Sequence, residues 1–184
     1  MMIHGKLQQA ATAMAVLALV ALGGCGGQAG IVSSGPALSE GEDSAAYLDR
    51  LSSQQTVSED DAMRGVLMLM DGKDAAGSFE QRVERLRQHG VVGERWDFQA
   101  DRPLTRGRMA YMVHQACKLP GGVVLTLTGP SERYCLRELQ YRGFVAPGAY
   151  YNPVSGMEFV AVLTRADAYL ETGEVPETLA TGGK

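Results

Sequence analysis

The chain has 184 residues, of which 45% are hydrophobic and 21% charged, so most of it is expected to fold as one ordinary globular domain. Its 17 Lys and Arg residues against 21 Asp and Glu give a formal net charge of −4 at pH 7. This acidic balance argues against nucleic acid as a partner, because nucleic-acid-binding domains present basic surfaces.

Residues 1–24 are typical of a signal peptide. A start carrying one lysine precedes the apolar run AATAMAVLALVAL, about 13 residues, which is too short to span a bilayer. The following Leu22-Gly23-Gly24-Cys25 resembles a bacterial lipobox, in which cleavage precedes the cysteine and the cysteine is acylated. We therefore expect a lipoprotein of the bacterial cell envelope, held to a membrane by lipid on Cys25. The alternative is an ordinary secretory signal with a chance cysteine.

The Gly, Ser and Ala of residues 25–42 leave little to bury, which predicts a flexible tether. Residues 175–184 are predicted to form a flexible tail. The folded domain is therefore expected over residues 43–174. Gly26 replaces the aspartate that retains some lipoproteins in the inner membrane, which favours the outer membrane where the organism has one.

An internal repeat organises this domain. Stretches starting at Ser78 and Ser131 share apolar residues at helical spacing, followed by Gly90 and Gly143 where left-handed residues end helices. A second helix pattern begins three times, after Val57, Leu104 and Val154, and repeat detection takes precedence over single motifs. Its apolar face comprises Ala62, Met63, Val66 and Leu69; Met109, Ala110, Val113 and Ala116; and Phe159, Val160, Leu163 and Ala166.

The prediction is a mainly α fold of two full helix-loop-helix repeats and a degenerate first repeat. SAAYLDRL supplies the leading helix of that first repeat. The segment near 122–128 has alternating β-branched residues between turn formers, which predicts at most one short extended segment, either a short strand or an extended connector.

The starts of the second helices carry the most specific motif, and Thr105-Arg106-Gly107-Arg108 is its fullest copy. A helix, a Gly-hydrophobic turn, an aromatic-bearing loop and a Pro-x-Thr-Arg start together resemble the S-layer homology domain. That family often has three repeats and a Thr-Arg-Ala-Glu motif. The resemblance covers residues 79–170, and residues 44–70 loosely. It implies binding to a cell-wall polymer.

Helix capping explains most of the motif without any ligand. Ser155 with Glu158, and approximately Ser58 with Asp61, fit a capping box. The same position of the helix favours the acidic residues that follow Ser58, because carboxylates are stabilised at helix N-termini. Only the arginine of the motif remains for another role.

Arginines are the wrong charge for a helix N-terminus, yet Arg102, Arg106 and Arg108 cluster at one. Unpaired backbone N–H groups and guanidinium groups together favour an anion, and Trp96 offers a face for a sugar. These four residues are the predicted ligand-binding site. Two alternatives remain: the arginines pair with Glu94, Asp97 or Asp101 in a solvated network, or they contact another protein.

No pattern indicates catalysis, a cofactor or a metal. Neither His89 nor His114 has a spacing that joins it to a nucleophile or to metal ligands, and phosphate-loop and nucleophile-elbow motifs are lacking. We therefore expect a protein that is not an enzyme. Cys117 and Cys135 are expected either to form a disulfide in an oxidising compartment or to remain as buried thiols.

The function predicted from the sequence is that of an envelope lipoprotein whose repeat domain binds peptidoglycan or an attached anionic glycan. The alternative is a structural lipoprotein that binds another envelope protein. The exposed loop at Tyr150-Tyr151 is the predicted protein contact in that case.

Overall fold

The computed structural model describes residues 44–176, and the regular secondary structure within them is helical. The helices are α1 Ser44–Ser52, α2 Glu59–Asp71, α3 Phe79–Gln88, α4 Arg106–Ala116, α5 Val123–Thr128, α6 Glu132–Tyr141 and α7 Gly156–Thr172. The predicted mainly α fold is confirmed. None of these helices is both long and apolar enough to cross a membrane. Cys25, the segments predicted to be a signal peptide and a tether, and residues 177–184 lie outside the described range.

The second helices of the three repeats are capped alike. Ser58, Thr105 and Ser155 each accept a hydrogen bond from the backbone N–H three residues later, at 3.1, 3.3 and 3.2 Å. Serines also cap the leading helices α3 and α6. The predicted left-handed glycines end these two helices, with φ of 68° at Gly90 and 82° at Gly143.

A closed ring of backbone hydrogen bonds joins the three repeats. The N–H of Val57 donates to the carbonyl of Val154 at 2.9 Å, Val154 to Leu104 at 3.0 Å, and Leu104 to Val57 at 2.8 Å. Because these are equivalent positions of the repeat, the three helix starts are arranged about a pseudo-threefold axis. The side chains of all three ring residues are buried.

The helix pairs that pack together are not the pairs that the sequence repeat suggests. Helix α2 packs against α3, α4 against α6, and α7 against α1. Each pair therefore combines the second helix of one repeat with the leading helix of the next. Helix α1 packs against α7 and so completes the circular arrangement of the helix pairs. The first repeat therefore takes its place in the fold although its sequence unit is incomplete.

The closure between α1 and α7 depends on close approach. A Cβ on Gly156, the first residue of α7, would lie 1.6 Å from the carbonyl oxygen of Leu51. A Cβ on Gly65 of α2 would lie 2.9 Å from both Phe159 and the Tyr47 hydroxyl oxygen. The core formed around this closure includes Tyr47, Leu51, Phe144 and Phe159, all fully buried.

The prediction of a short strand or extended connector near 122–128 is wrong, because residues 123–128 form the short helix α5. The N–H and the hydroxyl of Thr126 both donate to the carbonyl of Gly122, at 3.0 and 3.2 Å. A lone strand leaves its backbone groups without partners, whereas one helical turn satisfies some of them locally. The β-branched composition was therefore outweighed by the lack of a neighbouring strand.

The disulfide considered for Cys117 and Cys135 is absent, and both are buried free thiols. Burial raises the pKa of each thiol to about 12. The second of the two alternatives drawn from the sequence therefore describes these cysteines, which act as small apolar core residues.

Candidate functional site: a groove between the second and third repeats

The arginine of the motif, Arg106, is inside the protein. It is 7% exposed, and its guanidinium contacts Oε1 of Glu158 through Nε at 2.7 Å and Nη2 at 2.6 Å. Nη2 also donates to the carbonyl of Ala146 at 2.7 Å. A Cβ on Gly148 would lie 1.5 Å from Nη1 of Arg106, so the missing side chain provides the space for this guanidinium.

Glu158 consequently does not complete the predicted capping box with its carboxylate, which points to Arg106 instead. Only the half in which Ser155 accepts from the Glu158 N–H is present. An ion pair between repeats has replaced a local contact within one helix.

Arg102 and Arg108 converge on the buried carboxylate of Glu59, which is 2% exposed. Arg102 donates through Nε at 2.9 Å and Nη2 at 3.1 Å, and Arg108 donates through Nη1. The N–H of Gln99 adds a bond at 2.9 Å. Hydrogen bonds to Glu59 raise the pKa of Arg102. Asp97, one of the partners considered from the sequence, also pairs with Arg102, at 3.2 Å.

One positional rule explains why cations occupy the start of α4. At two of the three junctions, the residue two positions after the ring residue of one repeat forms an ion pair with a residue of the next repeat. That partner lies four positions after its own ring residue. The pairs are Glu59 with Arg108 and Arg106 with Glu158. At the third junction Gly156 brings no charge, and Asp61 accepts instead from Arg50 at 3.0 Å and from Gln54 at 3.2 Å. The unfavourable dipole term, about 0.3–1 kcal/mol per cation, is offset by these carboxylates.

Trp96 lies beside this network, half-buried at the edge of the domain. Its ring contacts Tyr111 at 4.9 Å and Phe98 at 5.9 Å between centroids, and the Arg108 guanidinium stacks over it at 5.2 Å. A Cβ on Gly93 would lie 2.7 Å from the indole nitrogen, so glycine there allows the ring to fold back over the loop. The structure therefore brings three of the four predicted residues together and places Arg106 apart, paired with the third repeat.

An open groove of about 640 Å³ adjoins Trp96. Its walls come from the 93–96 loop, from α4, from the start of α6 and from the loop before α7. The lining residues are Gly93, Glu94, Arg95, Trp96, Tyr111, Pro130, Ser131, Glu132, Arg133 and Tyr150. This set, called the groove below, combines three aromatic rings with four charged side chains.

The cations of the groove differ from the three predicted arginines. Arg95 and Arg133 are exposed, and neither has a hydrogen bond or ion pair with any residue between 44 and 176. Arg102, Arg106 and Arg108 are all committed to carboxylates. The guanidinium groups of the groove that are available to a ligand are therefore Arg95 and Arg133, neither of which is among the four residues predicted from the sequence.

Comparison of this chain with protein-family models, with curated proteins and with solved structures gave no match. The described residues also contain no group of three or more His, Cys, Asp or Glu side chains that could hold a metal ion. The geometry of the groove is therefore the basis for assigning a function.

Proposed function

We propose that this protein is a lipid-anchored lipoprotein of the bacterial cell envelope that binds a cell-wall component in the groove, either peptidoglycan or an attached anionic glycan. One observation carries the proposal. Trp96, Tyr111 and Tyr150 line the same open groove as two guanidinium groups that have no carboxylate partner in the described part of the chain.

Each element suits a carbohydrate polymer bearing acidic groups. Aromatic rings present flat apolar faces with little conformational entropy to lose, and guanidinium groups bind carboxylates and phosphates in bidentate geometry. An open groove accepts a segment of a continuous strand, which an enclosed pocket does not. The resemblance to S-layer homology repeats and the lipobox at Cys25 support the same assignment, with the lipid at one end and the wall at the other.

The ranking of contact residues changes with this geometry. Arg133, Arg95 and Tyr150 join Trp96 as the proposed ligand contacts. Arg106, Arg102 and Arg108 act as positioning residues, because their ion pairs hold the loop of Trp96 and the starts of the helices in place.

The test is co-sedimentation with purified cell walls. It uses the mature chain from residue 25 with Cys25→Ser, which lacks lipid and retains all the described residues. Loss of one charge-assisted hydrogen bond costs about 1.5–3 kcal/mol, so Arg133→Ala is expected to weaken binding about tenfold or more. Arg137→Ala is the matched control, since Arg137 is an exposed arginine one turn later on α6 and outside the groove.

A wild-type chain that stays in the supernatant refutes the proposal, and so does equal binding by Arg133→Ala and Arg137→Ala. Tyr150→Ala tests the aromatic wall in the same way, with Tyr141→Ala as its control. Tyr141 is 88% exposed and does not line the groove.

A second candidate is binding to another envelope protein through the third repeat. Tyr151 is 69% exposed and Met157 70% exposed, and exposed aromatic and methionine side chains are enriched at protein interfaces. Crosslinking in the envelope from residue 151 would recover one defined protein if this function holds, while binding to purified walls would be absent.

A further inference from the structure

Glu132 is a charged residue of the groove whose position is not explained by any contact with the described residues. It is partly buried at the start of α6, and its carboxylate has no hydrogen-bond or ion-pair partner in residues 44–176. Arg108, whose charge reaches it, is committed to Glu59 and to the carbonyl of Asp97. Burial raises the pKa of Glu132, with the Arg108 charge acting in the opposite direction.

The helix N-terminus does not account for this placement. Glu80, in the first turn of the corresponding helix α3, is fully exposed, and hydrogen bonds from its own N–H and from Ser78 lower its pKa. Glu132 is in the first turn of α6 but is packed inward, where burial has the opposite effect on its pKa. Glu132 directly follows its cap Ser131, at the position that Phe79 takes after Ser78, so a carboxylate stands where the other repeat packs an apolar side chain against the core.

The fold makes room for Glu132 at Gly107. A Cβ at that position would lie 2.8 Å from Oε2 of Glu132, 3.0 Å from its Cβ and 3.1 Å from the carbonyl oxygen of Tyr150. The family motif has alanine here, so this departure from the motif coincides with the space that the carboxylate occupies. The chain thus accommodates a carboxylate that gains no partner within the described part of the protein.

The groove carries both signs of charge without internal pairing. Glu94 and Glu132 line it together with Arg95 and Arg133, so its formal charge balances to zero. A polyanion would face two carboxylates and a polycation two guanidinium groups, and each would meet repulsion. The best electrostatic complement carries an anion and a cation close together.

We propose that the groove recognises a zwitterionic group, with its anion at Arg95 and Arg133 and its ammonium group at Glu132. This inference rests on the proposed wall-binding function and, of the two wall components named there, selects peptidoglycan over an attached anionic glycan. In peptidoglycan, carboxylates and free amino groups occur together on the stem peptides, so the stem peptide is recognised in preference to the sugar backbone.

The experiment compares purified peptidoglycan sacculi before and after their free amino groups are acetylated with acetic anhydride. Wild type is expected to bind acetylated sacculi about tenfold more weakly, the value of one charge-assisted contact. Glu132→Gln is expected to bind native sacculi about tenfold more weakly than wild type. Acetylation of the sacculi should weaken the binding of Glu132→Gln little further, because the substitution has already removed the same contact. Glu80→Gln is the matched control and is expected to behave as wild type.

The failures of the two proposals are distinguishable. If wild type binds neither kind of sacculi, the wall-binding function itself fails. Equal or tighter wild-type binding to acetylated sacculi leaves that function standing and overturns the zwitterion proposal, since an anion site alone would favour the more acidic wall. Independent, additive losses from acetylation and from Glu132→Gln overturn it as well. Urea unfolding of Glu132→Gln checks that its fold is intact.

Discussion

The ion pair between Arg106 and Glu158 gives a direct test of whether the motif arginine is structural. Arg106→Ala removes contacts of 2.6 and 2.7 Å to one carboxylate oxygen and one of 2.7 Å to the carbonyl of Ala146. It leaves the Glu158 carboxylate and that carbonyl without their guanidinium partner. It also empties the space beside Gly148 that the guanidinium fills.

The expected loss of stability follows from the burial of this ion pair. Breaking a buried ion pair by removing one partner costs about 3–5 kcal/mol. Glu158 keeps 26% of its side chain exposed, so water compensates part of the loss, and the lower end, about 3 kcal/mol, applies. With an unfolding entropy of about 2.1 cal/mol/K per residue over roughly 130 residues, this lowers Tm by about 10 °C.

Urea unfolding, followed by circular dichroism and by the single Trp96, measures the change in free energy. A double-mutant cycle with Glu158→Ala should give a coupling energy of about 1–3 kcal/mol. Arg137→Ala, which removes an exposed arginine, should change stability by less than about 0.5 kcal/mol. If Arg106→Ala also costs less than that, Arg106 is not held between the repeats and is available to a ligand.

Three further outcomes follow from the fold. Gly156→Ala places a Cβ against the Leu51 carbonyl and should cost about 2 kcal/mol in urea unfolding; wild-type stability would contradict the closure of α1 on α7. Burial lowers the pKa of His114 below 6.5, although Gln115 and Glu138 oppose this and Arg142 adds to it. The unfolded chain therefore binds the proton first, so stability should fall from about pH 6.5 downward, and urea midpoints should show no such step in His114→Leu. Cys117 and Cys135 should react with a thiol reagent only in urea, and rapid reaction of the native Cys25→Ser chain would contradict their burial.

Much of the fold could be predicted because the repeat consists of local sequence patterns. The aligned apolar positions of the second helices are buried, except for Leu69, Ala116 and Val160, which are only partly buried. The glycines that end α3 and α6 have the left-handed conformation that their position required. Periodicity and capping are properties of neighbouring residues, so a single sequence contains them.

The closing of the ring could not be predicted in this way. The pairing of α1 with α7 joins residues more than one hundred positions apart, and no local signal connects SAAYLDRL with the last repeat. The segment at 122–128 failed for a related reason. Its β-branched residues favour a strand, but the choice depended on whether a partner strand was near.

The sequence placed the arginine cluster and Trp96 near one another, but it did not show that all three arginines pair with carboxylates. Charge pairing is a long-range property, however, and Glu59 and Glu158 are 43 and 52 residues from their partners. The acidic run at Glu59 was fully explained as a helix start, which concealed its role as the buried partner of two arginines.

The three junctions share equivalent backbone hydrogen bonds but differ in their side chains. Counted from Gly90 and Gly143, the positions of Arg95 and Trp96 in the second repeat correspond to Gly148 and Ala149 in the third. At these two positions the third repeat has neither a cation nor an aromatic ring, and Gly148 instead admits the guanidinium of Arg106. The first repeat has only residues 53–57 between α1 and the Ser58 cap, too few to form such a loop. All three junctions contribute a hydrogen bond to the ring, whereas the groove lies beside only one of them. The proposed ligand site therefore needs one junction, and the absence of the motif arginine from the other two repeats does not count against it.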